Sequence, residues 1–309
     1  MIKLAVGETV ANYRILKFLG RGGFALVYLA EDARSGAKVA LKMGRQNGGS
    51  RHCTTFVEIT SRRSPEALSP DETPAQAVFL RPSGWRVDLL DSAEIDQLLV
   101  EQGRVLERVD SPHLVRLKER FEVEGRPVLA MEFVRGRTLR EKIRALEGIH
   151  LNWFLAIVRA LIATKAAGSL DHHGDLKPEN ILIKPSGKVM LIDPACTLPG
   201  RNAIEATPYY NPLLLADSKS DVMAIGIMIY EILTGTLPFD EVPWQYAGQK
   251  SGGETVRLSL SYFFSYSPPQ LLNPKTPPDL EKIVYRCITV PSYGLQELKT
   301  DLEEFISRA

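Results

Sequence analysis

The hydrophobic pattern of this 309-residue chain changes its period partway along, and that change limits the folds open to it. Up to about residue 134, short runs rich in Val, Leu, Tyr and Phe read as strands. Beyond that point apolar residues recur at helical spacing. Runs at 13–19 and 26–30 flank Gly20-Arg21-Gly22-Gly23-Phe24-Ala25, which predicts a glycine-tipped hairpin, and a third strand is expected at 38–43. Residues 44–73 lose the pattern and are rich in Gly, Ser, Arg and Pro, the composition of a long surface insertion. Runs at 77–80 and 85–90 are expected to close it as a small hairpin. The first helix is predicted over 91–110: Asp91 and Glu94 form a capping pair, and Ile95, Leu98, Leu99, Val105, Leu106 and Val109 line one face. Strands at 114–121 and 127–133 follow, then helices at 138–146 and 153–167, and helices alternate with loops through 302–306. Strands first and helices second is an α+β arrangement.

Composition removes several classes. Lys+Arg number 38 against Asp+Glu 37, and 44% of residues are hydrophobic, so the chain is neither disordered nor globally attracted to polyanions. There is no nucleic-acid signal. Three cysteines, Cys53, Cys196 and Cys287, are too few and too dispersed for a disulfide framework, which favours a reducing, cytoplasmic compartment. The longest apolar run, 223–230, stops at Glu231, short of the ~18–20 residues needed to span a bilayer. The opening segment Met1-Ile2-Lys3-Leu4-Ala5-Val6-Gly7 is too short for a signal peptide.

Four stretches carry chemistry. A glycine-tipped hairpin lets the backbone approach phosphate oxygens and offer its amides. Val39-Ala40-Leu41-Lys42 ends an apolar strand in a lysine, and a buried ammonium needs an anionic partner. The strongest is His173-Gly174-Asp175-Leu176-Lys177-Pro178-Glu179-Asn180-Ile181-Leu182-Ile183. Here an aspartate can accept a hydroxyl proton, a lysine can neutralise a migrating phosphoryl group, and an asparagine can hold a metal by its amide oxygen. Val189-Met190-Leu191-Ile192-Asp193 then ends another apolar strand in a carboxylate, a hard ligand suited to Mg²⁺.

In this order the motifs resemble a eukaryotic-type Ser/Thr protein kinase catalytic domain, and the likeness runs along nearly the whole chain. It implies a bilobal fold: an antiparallel N-lobe sheet with one main helix over 1–134, including an insertion at about 44–90, and a mostly helical C-lobe over 135–309. It implies ATP and Mg²⁺ as cofactors and a protein substrate with a Ser or Thr acceptor. Gly20, Gly22, Gly23 and Val27 correspond to the glycine-rich loop, and Ala40 and Leu182 to the adenine walls. Met131-Glu132-Phe133-Val134 corresponds to the hinge, with Met131 as gatekeeper and Glu132 and Val134 facing adenine. Lys42 corresponds to the phosphate-binding lysine, Asp175 and Lys177 to the catalytic pair, and Asn180 and Asp193 to the metal ligands. Thr207-Pro208-Tyr209-Tyr210 resembles the end of the activation segment. Asp221, Gly226 and the run from Tyr230 to Phe239 resemble the buried helix of the C-lobe.

The departures are as informative. Gly174 replaces the arginine that receives an activation-loop phosphate in the family, Pro194 replaces the phenylalanine that packs under the N-lobe helix, and Asn211-Pro212-Leu213 stands for Ala-Pro-Glu. The family's spacing from Pro112 lands on Gln102 as the partner of Lys42, whereas Glu101 has the required charge; the charge argument favours Glu101. Two other readings stay open. One is a pseudokinase scaffold, supported by Pro194 and the missing acid. The other is a small-molecule kinase of the aminoglycoside-phosphotransferase kind, which shares His-Gly-Asp with Asn five residues after the aspartate. His172, the His52-Cys53 pair, Cys196, the aromatics Tyr262, Phe263, Phe264 and Tyr266, and the basic spots at Arg62, Arg63, Arg135, Arg137 and Arg140 read as packing or solvated residues.

Overall fold

The computed structural model describes residues 4–45, 52–58, 87–198, 203–205, 207, 209–212, 215–238, 245–246, 258–259 and 266–308. The first half is built of β1 (Thr9–Val10), β2 (Tyr13–Arg21), β3 (Ala25–Asp32), β4 (Lys38–Gly44), β5 (His52–Glu58), β6 (Val87–Leu90), α1 (Ser92–Arg108), β7 (Leu117–Val123) and β8 (Arg126–Glu132). Six of the strands form one antiparallel sheet in the order β1-β2-β3-β4-β8-β7. Alternation along β4 sends Val39 and Leu41 into the apolar layer on one face, with Tyr28, Val128 and Ala130. Ala40 and Lys42 therefore point to the opposite face, the side of the cleft. That same face of β8 offers Leu129 and Met131 to α1 through Ile95, Leu98 and Leu99. Helix α1 starts as the sequence predicts: Asp91 accepts from the Glu94 N–H at 2.9 Å, and the Glu94 carboxylate accepts from the Asp91 N–H at 3.0 Å.

The inserted region differs from its sequence reading. The partner of β6 is β5, with His52 opposite Leu90 and Val57 opposite Val87, so a strand lies inside the stretch taken as irregular. Residues 77–80, the expected partner, fall outside the described residues. Strand β5 also has a second neighbour, described below.

After β8 the elements are β9 (Arg137–Thr138), α2 (Leu139–Arg144), α3 (Leu151–Ala166), a 3₁₀ turn (Pro178–Asn180), β10 (Ile181–Ile183), β11 (Val189–Leu191), β12 (Ala203–Glu205), α4 (Ser218–Thr234), β13 (Gln245–Tyr246), β14 (Leu258–Ser259), α5 (Pro269–Leu272), α6 (Pro278–Thr289) and α7 (Leu295–Arg308). This is a bilobal α+β protein-kinase fold: a curled antiparallel sheet with one long helix, followed by a helical lobe. Helix α4 is buried without interruption from Ser220 to Tyr230, which is why its sequence is apolar all round. Tyr266 packs against Tyr230 and Tyr285, as core packing requires; Tyr262, Phe263 and Phe264 lie outside the described residues. The lobes are stitched where the Leu191 N–H donates to His113 O at 2.7 Å and the Val115 N–H to Leu191 O at 2.9 Å. Strand β12 pairs antiparallel with β5, Ala203 opposite Glu58, Ile204 opposite Val57 and Glu205 opposite Phe56. Among the described residues no helix is long and apolar enough to cross a membrane.

Candidate active site

Between the lobes lies a cleft of about 1100 Å³. Gly20, Gly22, Gly23, Val27, Ala40, Lys42, Met131, Glu132, Val134, Lys177, Asn180, Leu182 and Asp193 all line it, so residues up to 173 positions apart in sequence are brought to one surface. Of the expected site residues, Asp175 stands just behind this lining, bonded to Lys177, and Glu101 is elsewhere.

The upper wall is organised by Lys42. Its ammonium is buried and ion-paired to the Asp193 carboxylate. Asp193 adopts a left-handed φ of +61°, a conformation that aspartate tolerates better than most residues, and this turns its side chain back into the cleft. Helix α1 sends Gln102, not Glu101, to this place. The Gln102 amide donates to Asp193 Oδ1 at 2.7 Å and to the Pro194 carbonyl at 3.2 Å. Glu101, one position round the helix, pairs with Arg104 instead. The charge argument is thereby corrected: a carboxylate on α1 is not needed, because Asp193 supplies the anion and the helix supplies a neutral amide. Burial alone pushes the Asp193 carboxyl up, but the Lys42 ammonium outweighs it, with help from Lys177 and Gln102, and holds it below the usual carboxylate range.

The lower wall is the loop after α3. Asp175 is buried, and its two oxygens are shared among three donors. Lys177 Nζ donates to Oδ2 at 2.6 Å, Thr207 Oγ1 to Oδ1 at 2.7 Å, and Asn180 Nδ2 to Oδ2 at 3.1 Å. Asn180 also donates to the Asp175 carbonyl at 2.8 Å, and Lys177 to Thr207 Oγ1 at 2.7 Å. The loop itself is hung from α4: Asp221 accepts from the His173 N–H at 2.7 Å and from the Gly174 N–H at 2.9 Å. Burial pushes Asp221 up, although both N–H groups favour its charge. Burial pulls the buried His173 imidazole below its ordinary value, and its Nε2 faces the Ile192 carbonyl at 3.0 Å, so it packs and positions.

Gly174 is accounted for by its surroundings. Its φ is +77°, and a Cβ there would stand 2.8 Å from the Ala195 Cβ. The small residues at 174 and 195 are thus a matched pair, and the backbones are joined by the Ala195 N–H donating to His173 O at 2.7 Å.

Two residues were missed by sequence reasoning. Thr207, which the sequence offers as part of a segment end and as a phosphorylatable hydroxyl that Gly174 disfavours, bridges Asp175 and Lys177; its place two residues before the Tyr-Tyr pair is the available signal. Arg140, read as solvated, is a half-buried hub. Its guanidinium bonds Glu179 at 2.8 Å, pairs with Glu231 and donates to the Tyr210 hydroxyl, which itself donates to Glu231 at 2.7 Å. Burial opposes the Arg140 charge, but Glu231 and Glu179 outweigh it and push the guanidinium further up. Through Tyr210, this cluster ties the end of the activation segment to α2 and α4, where an Ala-Pro-Glu acid is lacking. Nothing in the sequence pairs these residues, which meet only through the fold. Cys196 is buried with its Sγ 3.6 Å from the Leu98 carbonyl, a packing position. The side chains of His52 and Cys53 lie outside the described residues.

A two-lobed fold with Lys42 and Asp193 lining one cleft, and Asp175 just behind it, has the arrangement of the protein kinase class. Residues 89–290 match the protein kinase domain family, and the chain belongs to that family. It is 25% identical to the serine/threonine-protein kinase PrkC of Bacillus subtilis, over 99% of this chain and 42% of that protein. It is 27% identical to a probable serine/threonine-protein kinase, PknB, of Lactococcus lactis, over 98% of this chain and again 42% of the relative. The chain therefore spans less than half the length of these curated relatives. Among solved structures it resembles the apo form of PpkA-294, with TM-score 0.62 and 18% identity over 97% of this chain and 99% of that one. The PknI kinase domain of Mycobacterium tuberculosis is similar at TM-score 0.58 and 20% identity, over 98% and 99% of the two chains.

Proposed function

We propose that this chain transfers the γ-phosphoryl group of Mg-ATP to Ser or Thr hydroxyls of protein substrates. The observation that carries the reading is the Asp175–Lys177–Thr207–Asn180 network, set opposite the Lys42–Asp193 pair across one cleft. The donor set fits Mg-ATP. Asn180 spends its amide N–H groups on Asp175, which leaves its side-chain oxygen for a cation, and Asp193 adds a carboxylate held ionised by its neighbours. Lys42 and Lys177 supply positive charge for phosphate oxygens, and the glycine hairpin supplies backbone amides. Bound Mg²⁺ would neutralise charge on the phosphate chain.

The chain's own residues do the rest. Asp175 accepts the hydrogen bond of the acceptor hydroxyl and orients its oxygen toward phosphorus. Lys177 stands 2.6 Å from Asp175, near enough to stabilise charge on the transferring group without leaving its partner. Thr207 holds both, so the activation segment reports directly on the catalytic pair. Met131, Ala40, Val27 and Leu182 offer apolar surface to a purine ring, and the backbone at Glu132 and Val134 offers it hydrogen bonds. The retained polar set, the charged Lys42, Asp175 and Asp193 with the amide of Asn180, argues against a binding-only scaffold. Among the described residues the cysteines Cys196 and Cys287 are buried thiols outside any disulfide; with the few, dispersed cysteines of the sequence, this supports the reading of a reducing, cytoplasmic compartment.

Incubating the chain with γ-labelled ATP, Mg²⁺ and a protein acceptor tests the reading, followed by acid hydrolysis and separation of phosphoamino acids. Label on phosphoserine or phosphothreonine is expected. Label confined to a small alcohol, or to phosphotyrosine, would overturn it.

A further inference from the structure

Lys42 has a neighbour besides Asp193. Phe24 stands at the tip of the glycine hairpin, between Gly23 and Ala25, where a side chain usually meets solvent. Instead it is 1% exposed, and the Lys42 ammonium lies 4.8 Å from the centre of its ring. The ring belongs to the same apolar cluster as Leu90 of β6, Ile95, Leu98 and Leu99 of α1, and Leu198 beyond Asp193. Two features hold the tip inward. Arg45 donates through Nη1 to the Gly23 carbonyl at 2.8 Å, and its backbone N–H donates to the Phe24 carbonyl at 2.9 Å. Gly44 lets the end of β4 lie close to α1: a Cβ there would stand 2.9 Å from Ile95 Cγ2 and 3.0 Å from Asp96 Oδ1.

The charge arrangement around Lys42 makes this ring consequential. Gln102 is neutral, and Asp193 is also the carboxylate best placed to serve a divalent cation. An aspartate drawn to a cation can no longer neutralise the lysine fully. An aromatic face attracts an ammonium without carrying a charge that would repel phosphate. Position 194, after the carboxylate, is proline, and the aromatic ring packed with the α1 side chains Ile95, Leu98 and Leu99 is that of Phe24.

We propose that Phe24 is a positioning residue for Lys42: its ring face fixes the ammonium and couples the glycine hairpin to helix α1. The proposal rests on the reading of Lys42 as a phosphate-binding group. It is tested with Phe24→Tyr, Phe24→Leu and Phe24→Ala, using two measurements that do not require phosphoryl transfer. One is Mg-ATP affinity by calorimetry. The other is the rate at which an amine-reactive ester modifies Lys42 in the nucleotide-free protein, read by mass spectrometry. Loss of a desolvated cation–π contact corresponds to roughly 2- to 30-fold in affinity. The expected result is weaker binding of that size and faster Lys42 labelling in Phe24→Leu and Phe24→Ala, with Phe24→Tyr within about twofold of wild type. Leucine preserves apolar bulk, so a Phe24→Leu protein indistinguishable from wild type would reduce Phe24 to packing and overturn the proposal. A Phe24→Ala protein that binds Mg-ATP more tightly would overturn it too, because the ring would then be an obstacle. If the wild-type chain bound no Mg-ATP, the kinase reading would fail, and the labelling rates alone would decide the role of Phe24.

Discussion

A buried ammonium requires an anion, and Lys42 finds it on Asp193 rather than on helix α1. The helix contributes Gln102, whose amide steadies the aspartate and the carbonyl of Pro194. Replacing Gln102 with leucine removes both donors while keeping the volume, and leaves Pro194 O unsatisfied. We expect a loss of about 1–3 kcal/mol in denaturant unfolding, together with weaker ATP binding. Glu101→Ala breaks only a partly exposed pair with Arg104 and is expected to change stability by about 0.5 kcal/mol or less, with ATP affinity unchanged. The reverse ranking would contradict the placement of α1. Lys219 offers a second test at this scale. Its ammonium donates to the Cys287 carbonyl at 2.9 Å and the Tyr293 carbonyl at 3.1 Å, and burial pulls it down from 10.5 to about 8. The unfolded chain then binds more protons than the folded one between those values, so this group's cost is full below pH 8 and is relieved as pH rises toward 10.5. Wild type should gain on Lys219→Met across that window by on the order of 2–3 kcal/mol at most, and parallel unfolding curves would contradict this.

At the scale of elements, the activation segment is held from two sides. Near its middle, β12 is a strand paired with β5 from the inserted region. At its end, Tyr210 joins Arg140 and Glu231, which fasten α2 to α4. Both attachments work without an arginine at position 174, where a left-handed backbone and the Ala195 side chain leave no room for one. Arg140→Ala leaves two carboxylates and a buried hydroxyl facing each other, and we expect it to cost about 3 kcal/mol and to slow phosphoryl transfer. An unfolding midpoint unchanged from wild type would show the hub to be dispensable. These elements also mark how far the sequence could be read. The capping box at Asp91, the strand ending in Lys42 and the loop from His173 to Asn180 depend on local spacing, and they stood in plain view. The β5–β12 pairing and the Arg140 cluster depend on residues up to about 150 positions apart, where no local pattern reports a contact. Gln102 lay between the two cases: helical spacing pointed to it, and the demand for a charge pulled the reading one residue away.

For the whole molecule, a net charge of +1 conveys nothing, because the charges that matter are sorted locally. Two lysines line the cleft, Lys42 paired with Asp193 and Lys177 with Asp175, and the lobes are joined at His113–Val115 and Leu191. In the helical lobe α4 is buried along most of its length, and the loop from His173 to Asn180 hangs from it. The sheet lobe carries Lys42 on a strand and the glycine hairpin pinned by Arg45. That division of labour is what the changing hydrophobic period foreshadowed. The central claim is that this constellation transfers phosphate, and the most direct measurement compares label incorporation from γ-labelled ATP by wild type and by Asp175→Ala at matched folding and ATP binding. The account predicts incorporation by wild type and a loss of about 10²- to 10⁴-fold in the variant. ATP binding without incorporation by either protein, or equal incorporation by both, would contradict it.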